Sequence, residues 1–214
     1  MPDWDVYLVT GESLSAGRRT LDIVESAIDG GIGVVQLREK DRTVRERYEM
    51  GRTLRKLTRE AGVTFVVNDR VDLAAVLDAD GVHLGDDDLP VRAARRLLGE
   101  DAVIGRSVST VEAAKTAEAA GADYLGVGAV YQSSSKDDIA EETHGIGPKR
   151  VRAIADAVDI PVVGIGGVTA DNAAEVAAAG ADGVAVITAI TRADNPAAAT
   201  AALVEAVERG KTAR

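Results

Sequence analysis

The residues with the most chemical content in this chain lie in short polar runs, each directly after a short apolar run. Gln36-Leu37-Arg38-Glu39-Lys40 follows Val34-Val35, and Asn68-Asp69-Arg70 follows Phe65-Val66-Val67. His83 and then Gly85-Asp86-Asp87-Asp88 close the run that begins at Gly81, and Ser107, Gly128, Gly166-Gly167 and Ile187-Thr188 close later ones. Side chains of an extended chain alternate between faces, so Gln36, Arg38 and Lys40 share one side while Val35 and Leu37 share the other. Two cations and an amide in one small space suit an anionic ligand. Asp69 and Asp88 are the candidate metal ligands, because Mg2+ keeps waters and takes few carboxylates when an anionic substrate completes its shell. The acidic run 86–88 also suits a helix start ahead of Pro90, where the helix dipole favours negative charge, so at most one of its members is a ligand. Gly166-Gly167 is either a phosphate cradle, in which amides face the anion at close range, or a plain tight turn. Ser133-Ser134-Ser135-Lys136 is either a polar loop or a lid that brings hydroxyls and a cation to a phosphate. His83 reads as a packed strand-end histidine, His144 falls in an unassigned loop, and no zinc-type His spacing occurs.

Something must bring these runs to one place. Apolar runs of strand length alternate along the chain with segments of helical period. The strands are expected at about 6–9, 34–38, 65–68, 81–84, 103–107, 124–128, 162–165 and 183–187. Helices between them stop at Gly30-Gly31, Gly62, Gly99 and Gly121, and Pro90 opens the fourth, the expected asymmetry of Pro at helix starts and Gly past their ends. An internal echo supports the register: Ala-Ala-Gly-Ala-Asp-Tyr-Leu-Gly-Val at 119–127 recurs as Ala-Ala-Gly-Ala-Asp-Gly-Val-Ala-Val at 178–186, with a fainter copy at 77–82. Repeated βα units with short connections indicate a parallel sheet with helices outside. Eight of them in 214 residues predict an α/β fold, a single (β/α)8 TIM barrel over 1–214. A doubly wound open sheet is the alternative. In such barrels active sites lie at the C-terminal ends of the strands, and that is the end at which the polar and smallest residues gather.

Composition narrows the function classes. The formal net charge is −10, from 25 Lys and Arg against 35 Asp and Glu; non-specific nucleic-acid binding needs the opposite, a basic footprint. Aromatic residues are only 3% of the chain, so the core must be built from Val, Ile, Leu and Ala. No cysteine is present, which removes disulfides, thiolate metal sites and thiol nucleophiles. Neither a signal-peptide pattern nor a run of membrane-spanning length is visible, so a cytoplasmic protein without membrane contact is expected. Homo-oligomerisation stays open, since the helix faces of such barrels look alike.

The motifs resemble those of the thiamine-phosphate synthase family, over almost the whole chain and in the same order. Gln36-Leu37-Arg38-Glu39-Lys40 is similar to the family's strand end for the pyrimidine diphosphate, and Asn68-Asp69 to its Asn-Asp pair, with Asn68 toward substrate and Asp69 on Mg2+. His83-Leu84-Gly85 through Asp88 resembles His-x-Gly-Gln-x-Asp, whose last residue is the second metal ligand, and Ser107 matches the serine of strand five. Gly128 through Lys136 resembles Gly-Pro-Ile-Phe-Pro-Thr-x-Thr-Lys, which puts hydroxyls at Ser133 and Ser135 and a cation at Lys136; Gly167 with Ile187-Thr188 matches the thiazole-phosphate site. Asp86 stands for the motif's Gln, Ser109 for its usual His, and Ala129 and Gln132 for its two prolines, a loss expected to loosen the loop. The resemblance implies a Mg2+-dependent transferase that joins a pyrimidine diphosphate to a thiazole phosphate, with Arg38, Lys40 and Lys136 stabilising the leaving pyrophosphate. No general base is implied, which agrees with the lack of a Cys or a clear His nucleophile. A thiazole tautomerase, a phosphometabolite sensor or another phosphate-binding barrel enzyme are the rival readings.

Overall fold

The structure, a computed structural model, describes residues 2–132 and 145–214. Eight parallel strands close into a barrel in sequence order: β1 Val6–Val9, β2 Val34–Leu37, β3 Thr64–Asn68, β4 Gly81–Leu84, β5 Val103–Val108, β6 Tyr124–Val127, β7 Val162–Ile165 and β8 Gly183–Val186. The pairing of β1 with β8, Leu8 beside Val186, closes the ring and excludes the open doubly wound sheet.

Alternation along each strand divides the core in two. Inward side chains, among them Tyr7, Val34, Val66, Tyr124 and Val163, fill the barrel together with Trp4. Outward ones, such as Leu8, Val35, Leu37, Val67 and Leu125, join the helices in a larger apolar layer. The helices are α1 Thr20–Asp29, α2 Val44–Ala61, α3 Val71–Val76, α4 Val91–Leu98, α5 Val111–Ala119, α6 Gly147–Ala155, α7 Ala173–Ala178, α8 Thr188–Thr191 and α9 Pro196–Thr212. Local sequence sets their limits. Thr43 and Glu46 form a capping box at the start of α2 and Gly62, at φ +70°, ends it in the left-handed region that glycine occupies without strain. The four-residue α8 and a 3-10 turn over Glu12–Leu14 are too short for any period to reveal. Among the described residues no helix is long and apolar enough to cross a membrane.

The internal echo now has a physical cause. In each copy an aspartate just ahead of a strand accepts a hydrogen bond from the first turn of backbone in the strand before it. Asp80 takes the amide of Phe65 at 2.8 Å, Asp123 that of Ile104 at 2.7 Å and Asp182 that of Val162 at 2.9 Å. An arginine from an outer helix or the C-terminus pairs with each: Arg55 with Asp80, Arg95 with Asp123 and Arg214 with Asp182. The motif therefore staples the N-terminal rim of the barrel, the end opposite the chemistry.

Candidate active site

The C-terminal ends of the strands surround a cavity of about 690 Å³. Arg38, Lys40, Asn68, Asp69, Asp88 and Ser107 line it, and Gly167, Ile187 and Thr188 line its far side. Of the expected site residues within the described chain, only Gln36 is not at the cavity surface. It points inward, as alternation requires, but lies buried beneath the lining, and its amide donates to the Tyr7 hydroxyl at 2.6 Å. Ser133, Ser135 and Lys136, and also His144, lie outside the described residues.

The first half of the site is held by unusual backbone. Asp69 sits at φ +62°, a conformation that strains a side chain with a Cβ, and its amide donates to the His83 carbonyl of the neighbouring strand at 2.8 Å. That turn aims Asp69 at Asp88. Asp88 is itself fixed by a 2.6 Å bond from the Gly85 amide. Burial pushes the Asp69 carboxyl above its ordinary range, and the hydrogen-bonded Asp88 carboxyl beside it pushes it further; Lys40 and Arg38 pull it back down. Lys40 Nζ stands 3.6 Å from Asp69 Oδ2. Two carboxylates pressed together in this way share a proton more easily than they carry two charges. A divalent cation resolves the same conflict, and hard oxygen donors suit Mg2+. Among the described residues no group of three or more His, Cys, Asp or Glu side chains converges, so the pair fits an ion completed by water or substrate oxygens. Asp86 takes no part: it accepts from Arg106 at 2.7 Å.

Glu39 points away from the mouth, as alternation places it, and its partners could not be read from the sequence. Its φ of +37° swings the side chain away from the mouth and into the protein, where it is 3% exposed. There it accepts from the Thr20 hydroxyl at 2.6 Å and the Glu12 amide at 2.9 Å. The carboxylate ties the β1–α1 loop and the start of α1 to the end of β2, which leaves Arg38 and Lys40 on a braced stem.

On the far side, Gly166 and Gly167 have φ of +100° and +64°. A Cβ on Gly167 would come within 2.6 Å of the Gln132 carbonyl, so the pair serves both a left-handed turn and a close backbone approach. The chain after β6 is secured there: the amides of Val130 and Tyr131 donate to the carbonyls of Ile165 and Gly166, each at 2.9 Å. These donors are the two middle residues of the stretch 129–132; the rest of the loop, on which the loosening was expected, lies outside the described residues. Arg192, just past α8, also lines the cavity, and it was missed because α8 itself was. Sequence reasoning also passed over Tyr7 and Tyr124, buried rings that look like core in an apolar strand; their only signal is a phenol placed at an inward position.

Two cations beside a carboxylate pair, with a glycine turn opposite, offer charge and backbone amides suited to phosphate groups. Comparison with known proteins bears on which ligands carry those groups. The family model described as "Thiamine monophosphate synthase" matches residues 6–190. A thiamine-phosphate synthase of Haloarcula marismortui is 71% identical over 99% of this chain and 100% of its own length, and one of Moorella thermoacetica is 50% identical over 99% of each. Among solved structures, the thiamine phosphate pyrophosphorylase of Pyrococcus furiosus superposes with a TM-score of 0.88 at 41% identity, covering 98% of both chains. With a barrel, a strand-end motif set and relatives that agree along its whole length, this chain belongs to the thiamine-phosphate synthase family.

Proposed function

We propose that this enzyme joins hydroxymethylpyrimidine diphosphate to hydroxyethylthiazole phosphate, giving thiamine phosphate and pyrophosphate, with the cavity residues in the following roles. Arg38 and Lys40, with Asn68 beside them, bind the diphosphate, and Lys136 adds a third cation from the loop after β6. Ser107 and, through the barrel interior, Gln36 orient the pyrimidine ring. Gly167, Ile187 and Thr188 receive the thiazole phosphate, with the hydroxyls of Ser133 and Ser135 closing over it. Asp69 and Asp88 would hold Mg2+, whose chemistry when bound is neutralisation of charge on the leaving oxygens.

The observation that carries this reading is the convergence of Arg38, Lys40, Asn68, Asp69, Asp88 and Ser107, from four different strand ends, on one side of a single cavity opposite a glycine cradle. The chemistry follows from the charges. As the exocyclic C–O bond of the pyrimidine breaks, its electron pair leaves with pyrophosphate. Fixed cations placed where that charge grows lower the barrier without reorganising. The carbon left behind is a benzylic-type cation supported by the aminopyrimidine, and the thiazole nitrogen supplies the pair that forms the new C–N bond. No proton needs to move in that step, so the site requires positioning and charge, together with exclusion of water from the cation. Reaction between two small molecules in the cytoplasm, without nucleic acid, agrees with the acidic composition.

Incubation of the protein with Mg2+ and both substrates is expected to release thiamine phosphate and pyrophosphate in equal amounts. Absence of both products would overturn the reading, and isomerisation of the thiazole phosphate alone would favour a tautomerase.

A further inference from the structure

The barrel interior below the cavity holds a row of hydrogen bonds whose middle members, Tyr7, Tyr124 and His83, have no part in the roles assigned above. It runs from β2 to β1, across to β6, then to β4 and β5. Gln36 Nε2 donates to the Tyr7 hydroxyl at 2.6 Å, and Tyr7 and Tyr124 hydroxyls lie 2.9 Å apart. Tyr124 lies 2.8 Å from His83 Nδ1, and His83 Nε2 lies 2.9 Å from the Ser107 hydroxyl. Both phenols are buried, and burial keeps them protonated far above neutral pH. The row has been given room. A Cβ on Gly105, mid-strand in β5, would run into the Tyr124 ring, and one on Gly126 would stand 2.8 Å from His83 Cε1. Neither glycine has a positive φ, so the space they leave, rather than a turn, accounts for them. Trp4 backs Tyr124 at a centroid distance of 4.5 Å.

Such a row has a direction, because each hydroxyl has one proton to give. Tyr7, accepting from Gln36, has its proton left for Tyr124. Tyr124 then donates to His83 Nδ1. A neutral imidazole that accepts at Nδ1 carries its proton on Nε2, and that proton goes to Ser107 Oγ. The Ser107 hydroxyl proton is thereby left for the cavity. With the Gln36 amide inverted every bond would reverse, and Ser107 would offer only lone pairs.

We propose that Tyr7, Tyr124 and His83 are positioning residues: a relay that fixes His83 as its Nε2–H tautomer and so makes Ser107 a hydrogen-bond donor toward a ring nitrogen of the bound pyrimidine. The ligand half of this inference rests on the proposed function; the tautomer half does not. A ring nitrogen accepts and never donates, so an oxo-substituted ring with N–H at that place meets a second donor and is rejected. The relay thus contributes specificity as well as orientation.

The test is a long-range 1H–15N spectrum of the ligand-free full chain labelled in histidine, with His144→Gln assigning the remaining imidazole to His83. The expected pattern is the neutral Nε2–H tautomer. Tyr124→Phe keeps the ring and removes the link, and is expected to give mixed tautomers and about a tenfold fall in kcat/KM, the size of one net hydrogen bond. Ser107→Ala is expected to fall at least as far, and the double variant no further than Ser107→Ala alone. An Nδ1–H tautomer or an imidazolium in the wild-type protein overturns the proposal, as do losses that multiply in the double variant. Should Tyr124→Phe fail to fold, the wild-type spectrum still decides. A protein with the expected tautomer but no coupling activity would sink the proposed function and leave the relay standing.

Discussion

Asp69 concentrates the conflict of the site in one residue. It is held at a strained φ of +62°, half-buried, and hydrogen-bonded to a second carboxyl, so its pKa is raised by burial first and by Asp88 second. The sign matters for stability. A carboxyl whose folded pKa lies above its unfolded value binds more protons when folded, so without metal this pair destabilises the fold as the pH rises through that interval. At neutral pH a bound cation should reverse the effect. Asp69→Asn removes one of the two charges and keeps the shape. It is therefore expected to melt no lower than the wild type in EDTA at pH 7, and to lose the rise in Tm that Mg2+ gives the wild type. Thermal unfolding with and without Mg2+ at pH 7 checks both; an undiminished Mg2+ response in the variant would show that Asp69 is not a ligand.

At the scale of elements, the aspartates of the echoed motif make the barrel's lower rim a set of separate, testable staples. Asp123 accepts the buried Ile104 amide and pairs with Arg95. Asp123→Ala strands that amide, at a cost of about 1.5–3 kcal/mol, which for a chain of this size is a Tm lower by roughly 3–12 °C. Asp123→Asn, which keeps the acceptor and loses the ion pair, should recover more than half of that loss, because the arginine pair is partly exposed and worth little. A loss in Asn equal to that in Ala would shift the weight to the charge. These elements were legible in the sequence because period and repeat survive averaging over many residues. The strand ends were legible too, since Gln36, Asn68, Asp69 and Ser107 each interrupt or close a strand-length run and Asp88 ends the acidic run that follows β4. What escaped was set by distant partners or lay in too short a stretch. Glu39 is bonded by Thr20 and Glu12 from outside its own strand, Asp86 is claimed by Arg106 from the next strand, and α8 is shorter than one hydrophobic repeat. Tyr7 and Tyr124 read as core because they are core; their hydroxyls matter only once β1 and β6 face each other across the closed barrel.

Across the whole molecule, a mouth that gathers both signs of charge is carried on a strongly acidic body. Arg38, Lys40 and Arg192 gather at the cavity while the chain as a whole bears a net charge of −10. At low ionic strength that excess repels itself and works against the compact state. Added salt screens it, with the Debye length falling from about 10 Å at 0.1 M to about 3 Å at 1 M. Screening also weakens the surface ion pairs, but pairs such as Lys56–Glu60 and Glu205–Arg209 are well exposed and contribute little to begin with. The repulsion should win, so Tm is expected to rise steadily from 0.1 to 1 M KCl. Specific hydration effects would produce a rise too, and charge removal separates the two causes. Glu25, Asp101 and Asp159 are exposed, the last two just ahead of β5 and β7 at the end of the barrel opposite the site. Replacing them together by Gln, Asn and Asn is expected to raise Tm at 0.1 M and to flatten its dependence on KCl. A variant whose Tm climbs with salt as steeply as the wild type would mean that ion-specific hydration, rather than net charge, sets the response of this barrel to salt.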